Sequence, residues 1–388
     1  MKAIVNGKII TENAILTDSA IIFDEKIKKI IPKNELDANV EKIDAMGGYV
    51  LPGFVDIHVH GGGGADVLDG SYEEINTVTK LHALHGTTSL VATTLTCPDE
   101  TLYSGLGLIA DAIDRGTDGA EILGIHLEGP YFSGQARGAQ NIVEIKYPTP
   151  EEVEKIWELS KGKILRWDSA PELPNTEFFA KWLKKKNIKA SIGHSAANAE
   201  TALWAYELGF DHITHLYCST TTEHKEGQVV HGGIVEAAYL EDGITVELIA
   251  DGKHIPRETM LLVFKIKGAK KTALITDAMR AAGTDVTESI LGSKFNGSRV
   301  IVEEGVAKLP DRSSFAGSIG TMDRALKVAL GYGVPVLDAI RSLTLTPAEL
   351  VNCADRKGSL DVGKDADILI TDEDFNLKSV YIRGEKYN

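Results

Sequence analysis

The chain reads as an α/β protein. Residues 51–345 form a (β/α)8 TIM barrel, and a small β-sandwich is built from residues 1–50 and 346–388. Three observations predict this. Eight apolar, β-branched runs alternate with nine stretches of helical composition between residues 54 and 342. Both chain ends carry short β-type runs and no long helical pattern. The side chains able to bind a metal fall at the C-terminal ends of the apolar runs, where barrel enzymes place their chemistry.

Taken in order, residues 3–10, 19–23 and 26–31 read as strands, and Asn6-Gly7 is a hairpin turn signal. The barrel strands are expected at 54–59, 88–94, 121–128, 164–170, 189–194, 212–217, 244–250 and 271–277. Helices are expected at 72–85, 99–115, 150–160, 176–186, 198–208, 232–240 and 257–267, with 321–330 and 335–342 after the last strand. Residues 361–371 and 379–384 read as strands joined by turns, which fold with the N-terminal strands into one sandwich. A doubly wound sheet also fits the alternation but usually has fewer strands. No internal repeat or low-complexity tract interrupts the pattern.

A chain of 388 residues can bury a large core. Its net charge of −15, without a long basic stretch, argues against a nucleic-acid partner. No apolar run approaches a membrane span, and the N-terminus lacks a signal-peptide pattern. Cys97, Cys218 and Cys353 are far apart and odd in number. They fit a reducing cytoplasm and argue against a thiolate metal site.

The chemistry centres on residues 49–64, Tyr-Val-Leu-Pro-Gly-Phe-Val-Asp-Ile-His-Val-His-Gly-Gly-Gly-Gly. Side chains alternate along a strand, so Asp56, His58 and His60 share a face, and two imidazoles there can close on one metal ion. The glycine run that follows allows a sharp turn and close approach of a ligand. Reading the other strand ends adds Glu128, His194, His215 and Asp277. Nitrogen and oxygen ligands without thiolate suit Zn, Fe, Co or Mn, one or two ions per chain. Glu128 can bridge two cations through its two oxygens. His126 shares the face of Glu128 and is either a supporting partner or a barrel-filling side chain. His212 lies an odd number of positions from His215, so it is expected to face away and to be structural. His82 and His85, on a helix, are read as structural too. Asp277 is the best general base, able to hold an attacking water and pass its proton on.

Several stretches carry a resemblance. They are Pro52-Gly-Phe-Val-Asp-Ile-His-Val-His-Gly, His126-Leu-Glu-Gly-Pro, Gly193-His-Ser, Thr214-His-Leu-Tyr, Ala250-Asp-Gly-Lys-His, Ile275-Thr-Asp-Ala-Met and Lys357-Gly-Ser-Leu-Asp-Val-Gly-Lys-Asp-Ala-Asp. Over nearly its whole length the chain resembles the amidohydrolase superfamily and, within it, the N-acetylglucosamine-6-phosphate deacetylases. The resemblance implies a barrel with a β-sandwich and removal of an acetyl group from an amino sugar phosphate. Glu128, His194 and His215 would bind one metal; His58 and His60, with Glu128 as a bridge, would hold a second. Water activated on the metal would attack the amide, with Asp277 as catalytic base and then acid. His254 matches a substrate contact. Two departures fall on substrate recognition. Cys218-Ser219-Thr220 stands where the family has Asn-Ala-Met, and Glu223-His224-Lys225-Glu226-Gly227 replaces a segment whose Arg reaches a neighbouring subunit's sugar phosphate. Lys225 can supply that charge, though only as a point charge, and a homodimer follows. Cys218, Ser219, Gln135, Arg137 and Gln140 are further candidate substrate contacts. The alternatives are an amidohydrolase acting on another N-acetylhexosamine or a different amide, and a non-catalytic barrel scaffold.

Overall fold

The computed structural model describes residues 1–388, the side chain of Glu226 excepted. Eight parallel strands form the barrel: β1 (Phe54–Val59), β2 (Thr87–Thr94), β3 (Glu121–Leu127), β4 (Ile164–Ser169), β5 (Lys189–Ile192), β6 (Phe210–Ile213), β7 (Thr245–Ile249) and β8 (Thr272–Ile275). They lie side by side in chain order. The seam between β1 and β8 is bridged by Val59, the last residue of β1, and Ala278, just past the end of β8. Helices α1 (Tyr72–Leu84), α2 (Asp99–Arg115), α3 (Pro150–Leu159), α4 (Thr176–Lys186), α5 (Ala199–Leu208), α6 (Ile234–Leu240), α7 (Arg257–Lys267) and α8 (Met322–Tyr332) follow the strands, and Val336–Leu343 and Leu345–Leu350 complete the helical layer.

Local sequence explains these elements. Side chains of Ser71, Thr149 and Asn198 accept hydrogen bonds from the third residue of α1, α3 and α5, satisfying amides that no helix turn can pair. On β4 the side chains alternate. Trp167 packs outward, 5.1 Å from the Phe179 ring of α4, while Arg166 and Asp168 face the barrel interior.

The sandwich uses both ends of the chain. One sheet has the order Ile27–Pro32, Ser19–Phe23, Lys2–Val5, Glu41–Asp44. The other runs Glu385–Lys386, Leu377–Ile382, Ile368–Thr371, Tyr49–Pro52, Lys8–Ile10, Ile15–Leu16. Ile4, Ile9, Ile21, Phe23, Val50 and Ile368 pack between them. The hairpin expected at Asn6-Gly7 is not formed: Lys2–Val5 and Lys8–Ile10 belong to different sheets. Asn6 does take the left-handed conformation, with φ +58°. A Cβ on residue 7 would lie 2.7 Å from Val50 Cγ2 and 2.8 Å from Ala45 Cβ, so glycine serves close packing where the chain crosses between layers.

Lys357 joins sandwich to barrel. Its ammonium, 1% exposed, lies 2.8 Å from Asp367, 2.9 Å from Glu121 at the start of β3, and 3.0 Å from Asp365. The loops carry β structure that the pattern of apolar runs does not announce. His224–Glu226 pairs with Val229–His231 after β6. Glu288–Leu291, Ser298–Glu303 and Val306–Lys308 form an antiparallel sheet between β8 and α8. The strands of that sheet are short, and their fully buried side chains are few, Leu291, Val300, Val306 and Ala307, too few within any one strand to write a clear period.

Candidate active site

Six side chains converge at the C-terminal end of the barrel. His58 lies within β1 and His60 just beyond it; Glu128 follows β3 directly. His194, His215 and Asp277 each stand two residues past a strand, with φ of +46°, +29° and +49°. Non-glycine residues rarely adopt these angles, each at a cost of about 1–3 kcal/mol. Surrounding bonds hold them there. Ser133 N donates to His194 O at 2.9 Å, Cys218 N to His215 O at 2.8 Å, and Ser318 N to Asp277 O at 2.8 Å. Asp277 N donates across the seam to His58 O at 3.0 Å. Strands five and six therefore end earlier than the expected 194 and 217, because the ligand-type histidines occupy turns.

Glu128 is the hub. Its Oε1 is 3.0 Å from Nε2 of both His194 and His215, and its Oε2 is 3.4 Å from His60 Nε2. His60 Nε2 is also 3.1 Å from Asp277 Oδ1. His58 Nε2 points between Glu128 Oε1 at 3.7 Å and Asp277 Oδ1 at 3.5 Å, buried and without a hydrogen-bond partner. Two trios bring their ligand atoms within 4.8 Å of one another: His58, His60 and Asp277, and His58, Glu128 and His215. The orphaned His58 nitrogen and an all-nitrogen and oxygen donor set fit a divalent cation.

The electrostatics agree with that donor set. Burial opposes ionisation of Glu128, but hydrogen bonds from His194 and His215 outweigh it and hold the carboxyl well below the usual range. Burial likewise raises Asp277, while the adjacent His58 imidazole and the His60 hydrogen bond bring it below its ordinary value. Burial pulls His60 and His215 down, yet their carboxylate partners raise each to about 9. In the absence of a cation, these imidazoles hold protons that neutralise the carboxylates.

Five of the six, His60, Glu128, His194, His215 and Asp277, line a cleft of about 260 Å³, and His58 is buried behind them. Gln140, Cys218, Ser219 and His254 line it, with Leu95, Leu291, Ser314 and Phe315. His254 Nδ1 is 2.9 Å from Asp251 Oδ2, and its ring meets Phe315 edge-on at 4.8 Å. Gln140 is buried; its amide donates to Glu128 Oε2 at 2.9 Å and accepts from Thr96 N at 3.0 Å. Three other candidates are placed outside the lining. Gln135 is exposed, Arg137 donates to Gln140 O at 3.3 Å, and Lys225 sits exposed on the loop hairpin. His126 lies behind His58, ring centroids 4.7 Å apart, held by Thr93 Oγ1 at 3.2 Å and Asp168 Oδ2 at 2.9 Å. Burial and the Arg166 charge push it down to about 3, so it stays neutral. His82 bonds Gly61 O and His85 pairs with Asp323, away from the cleft.

The expectation for His212 is corrected. It faces inward, with Nε2 3.3 Å from Glu247 Oε2. Counting parity from His215 fails because β6 ends at Ile213 and the chain turns before His215. Sequence reasoning also passed over Glu247 and Arg166. Glu247 Oε1 lies 2.8 Å from His58 Nδ1, and Arg166 holds Glu247 through both terminal nitrogens, at 2.6 and 3.0 Å. Their signal was present, since a charged residue inside an apolar barrel strand must find a partner in the interior.

This fold and site define a hydrolase of the amidohydrolase type, a barrel whose strand ends gather histidines and carboxylates. The profile of the Amidohydrolase family matches residues 49–386, and that of the NagA composite domain matches residues 1–50. The N-acetylglucosamine-6-phosphate deacetylase of Bacillus subtilis (strain 168) is 34% identical over 97% of this chain and 94% of its own length. The crystal structure of the Pasteurella multocida N-acetylglucosamine-6-phosphate deacetylase superposes with a TM-score of 0.91 at 29% identity, covering 99% of each chain. A mutant Mycobacterium smegmatis enzyme of the same name, solved with N-acetyl-D-glucosamine-6-phosphate, gives 0.92 at 26% identity, covering 100% of this chain and 99% of that one. The chain belongs to the amidohydrolase family and, within it, to the N-acetylglucosamine-6-phosphate deacetylases.

Proposed function

We propose that this enzyme hydrolyses N-acetylglucosamine-6-phosphate to glucosamine-6-phosphate and acetate. The observation that carries this reading is the gathering of His60, Glu128, His194, His215 and Asp277 around one cleft, with His58 buried against Glu128 and Asp277, in a chain whose relatives bear that activity. The six residues are read as ligands for one or two divalent ions, Zn, Fe, Co or Mn. A cation bound there supplies Lewis acidity and lowers the pKa of a water to roughly 7. The chain's own residues do the rest. Asp277, at the cleft floor, takes the proton of the attacking water and delivers it to the amide nitrogen, which leaves as an amine while acetate forms. Gln140 and Glu128 are hydrogen-bonded and fix each other's orientation. His254, braced by Asp251, faces the sugar, and Cys218 and Ser219 offer the neighbouring wall.

The sugar phosphate needs a cation, and none of the lining residues is Lys or Arg. This favours a homodimer in which Lys225 or a neighbouring group on the His224–His231 hairpin reaches a partner's cleft; Val229 and Val230 leave that hairpin exposed and apolar. Cys97, Cys218 and Cys353 are free, which supports a cytoplasmic setting. Among the described residues no helix is long and apolar enough to cross a membrane. The reading divides the chain into a barrel at 51–345 and a sandwich from 1–50 and 346–388. The test is acetate release from a panel of N-acetylhexosamines with and without a 6-phosphate. Preference for N-acetylglucosamine-6-phosphate supports the assignment. Equal or better turnover of an unphosphorylated or epimeric sugar would move it to another N-acetylhexosamine.

A further inference from the structure

Glu247 sits in the middle of β7, fully buried, and does not line the cleft. Donors converge on its carboxylate. Oε1 is 2.8 Å from His58 Nδ1, 3.0 Å from Arg166 Nη2 and 3.2 Å from His215 N. Oε2 is 2.6 Å from Arg166 Nη1 and 3.3 Å from His212 Nε2. An ion pair with Arg166 alone would balance the buried charge. The short approach to His58 is a separate feature with its own consequence. At 2.8 Å, an unprotonated Nδ1 would set its lone pair against those of the carboxylate, so the proton belongs on Nδ1. The lone pair of His58 then lies on Nε2, the buried atom that points between Glu128 and Asp277 without a partner.

We propose that Glu247 is a positioning residue for the cation site. It fixes the tautomer and ring orientation of His58 and, through His215 N, ties the loop after β6 to the same carboxylate, while Arg166 and His212 hold it in place. The inference rests on the reading of His58 as a metal ligand. A carboxylate behind a ligating imidazole typically accounts for about 10- to 100-fold in metal affinity.

The test measures Zn²⁺ affinity and content, by competition with a chromophoric chelator, in wild type, Glu247→Gln, Glu247→Asp and His58→Ala. Long-range ¹⁵N spectra of the cation-free proteins report the His58 tautomer. Glu247→Gln leaves the buried Arg166 charge without its partner, so Glu247→Asp is read beside it: it keeps the charge and withdraws the carboxylate from His58. The expected result is about a 10- to 100-fold loss of affinity for one Zn²⁺ in the Glu247 variants that retain the wild-type circular dichroism, with loss of the Nδ1–H signature of His58. Unchanged affinity and an unchanged His58 tautomer in folded Glu247→Asp, with an ion lost in His58→Ala, would overturn the role of Glu247 alone. Full Zn²⁺ content in His58→Ala would overturn the ligand reading of His58 and this inference with it.

Discussion

His60 Nε2 stands 3.1 Å from Asp277 Oδ1, across the seam where the first and last strands of the barrel close. The backbone reinforces this contact, because His60 N donates to Ala278 O at 2.9 Å and Asp277 N to His58 O at 3.0 Å. Barrel closure and site assembly are thus one event. Residues more than two hundred positions apart in sequence meet only if all eight strands are in register.

Metal stoichiometry follows from this arrangement. Replacing both His58 and His60 by Ala removes the trio with Asp277 but leaves Glu128, His194 and His215. Elemental analysis of the double variant should show one ion fewer per chain than wild type. Unchanged content would mean that these imidazoles do not hold a cation.

Stability against pH should depend on the cation. In its absence, His60 and His215 are raised from 6.5 to about 9 by their carboxylate partners. A raised folded-state pKa means the native protein binds more protons than the unfolded chain between those values, so this stabilisation is complete below pH about 6.5 and is lost as pH rises through about 9. Thermal unfolding of chelator-treated protein should therefore show Tm falling from pH 6.5 to 9. Protein with saturating cation should be more stable across that window, and its cation affinity should rise with pH as the competing protons leave. A chelated protein whose Tm rises over the same window would contradict the assignment.

Lys357 tests the junction between the two parts of the fold. Its ammonium is buried among Glu121, Asp365 and Asp367, so Lys357→Met leaves carboxylates without their counter-charge. Removing one partner of a buried ion pair costs about 3–5 kcal/mol. Denaturant unfolding should show a loss of that size, with the KM of the folded fraction unchanged because the residue does not line the cleft. A loss below about 1 kcal/mol would show that the network contributes little.

Assembly gives a further expectation. If the His224–His231 hairpin completes a neighbour's cleft, sedimentation should show a dimer, and Lys225→Ala should raise KM for the phosphorylated sugar more than it lowers kcat. A fully active monomer would exclude this arrangement.

Much of the architecture was legible because burial writes a pattern. The barrel strands are apolar, β-branched runs, and α2, α4 and α7 have the expected bounds, Asp99–Arg115, Thr176–Lys186 and Arg257–Lys267. The cluster of His58, His60, Glu128, His194, His215 and Asp277 was visible because chemistry at strand ends needs those residue types. What escaped notice has physical reasons. Asn6-Gly7 signals a left-handed turn but not which strands pair across it, and core packing made it a crossover between sheets. His212 turned inward because alternation holds only while a strand lasts. The positive φ of His194, His215 and Asp277 is imposed by tertiary contacts that no local propensity encodes. Glu247 and Arg166 are single charges within apolar runs of the sequence; their meaning appears only when β4 and β7 face one another across the barrel.

The most direct test of the central claim is the rate of acetate release from N-acetylglucosamine-6-phosphate by wild type and Asp277→Asn at matched cation content. Asn keeps the shape of the side chain but cannot carry a proton. Loss of general acid–base catalysis predicts a fall in kcat of roughly 10²-fold or more, with KM nearly unchanged. Near-normal kcat in the variant would show that another group, such as His254, moves the proton, and the role of Asp277 would have to be withdrawn.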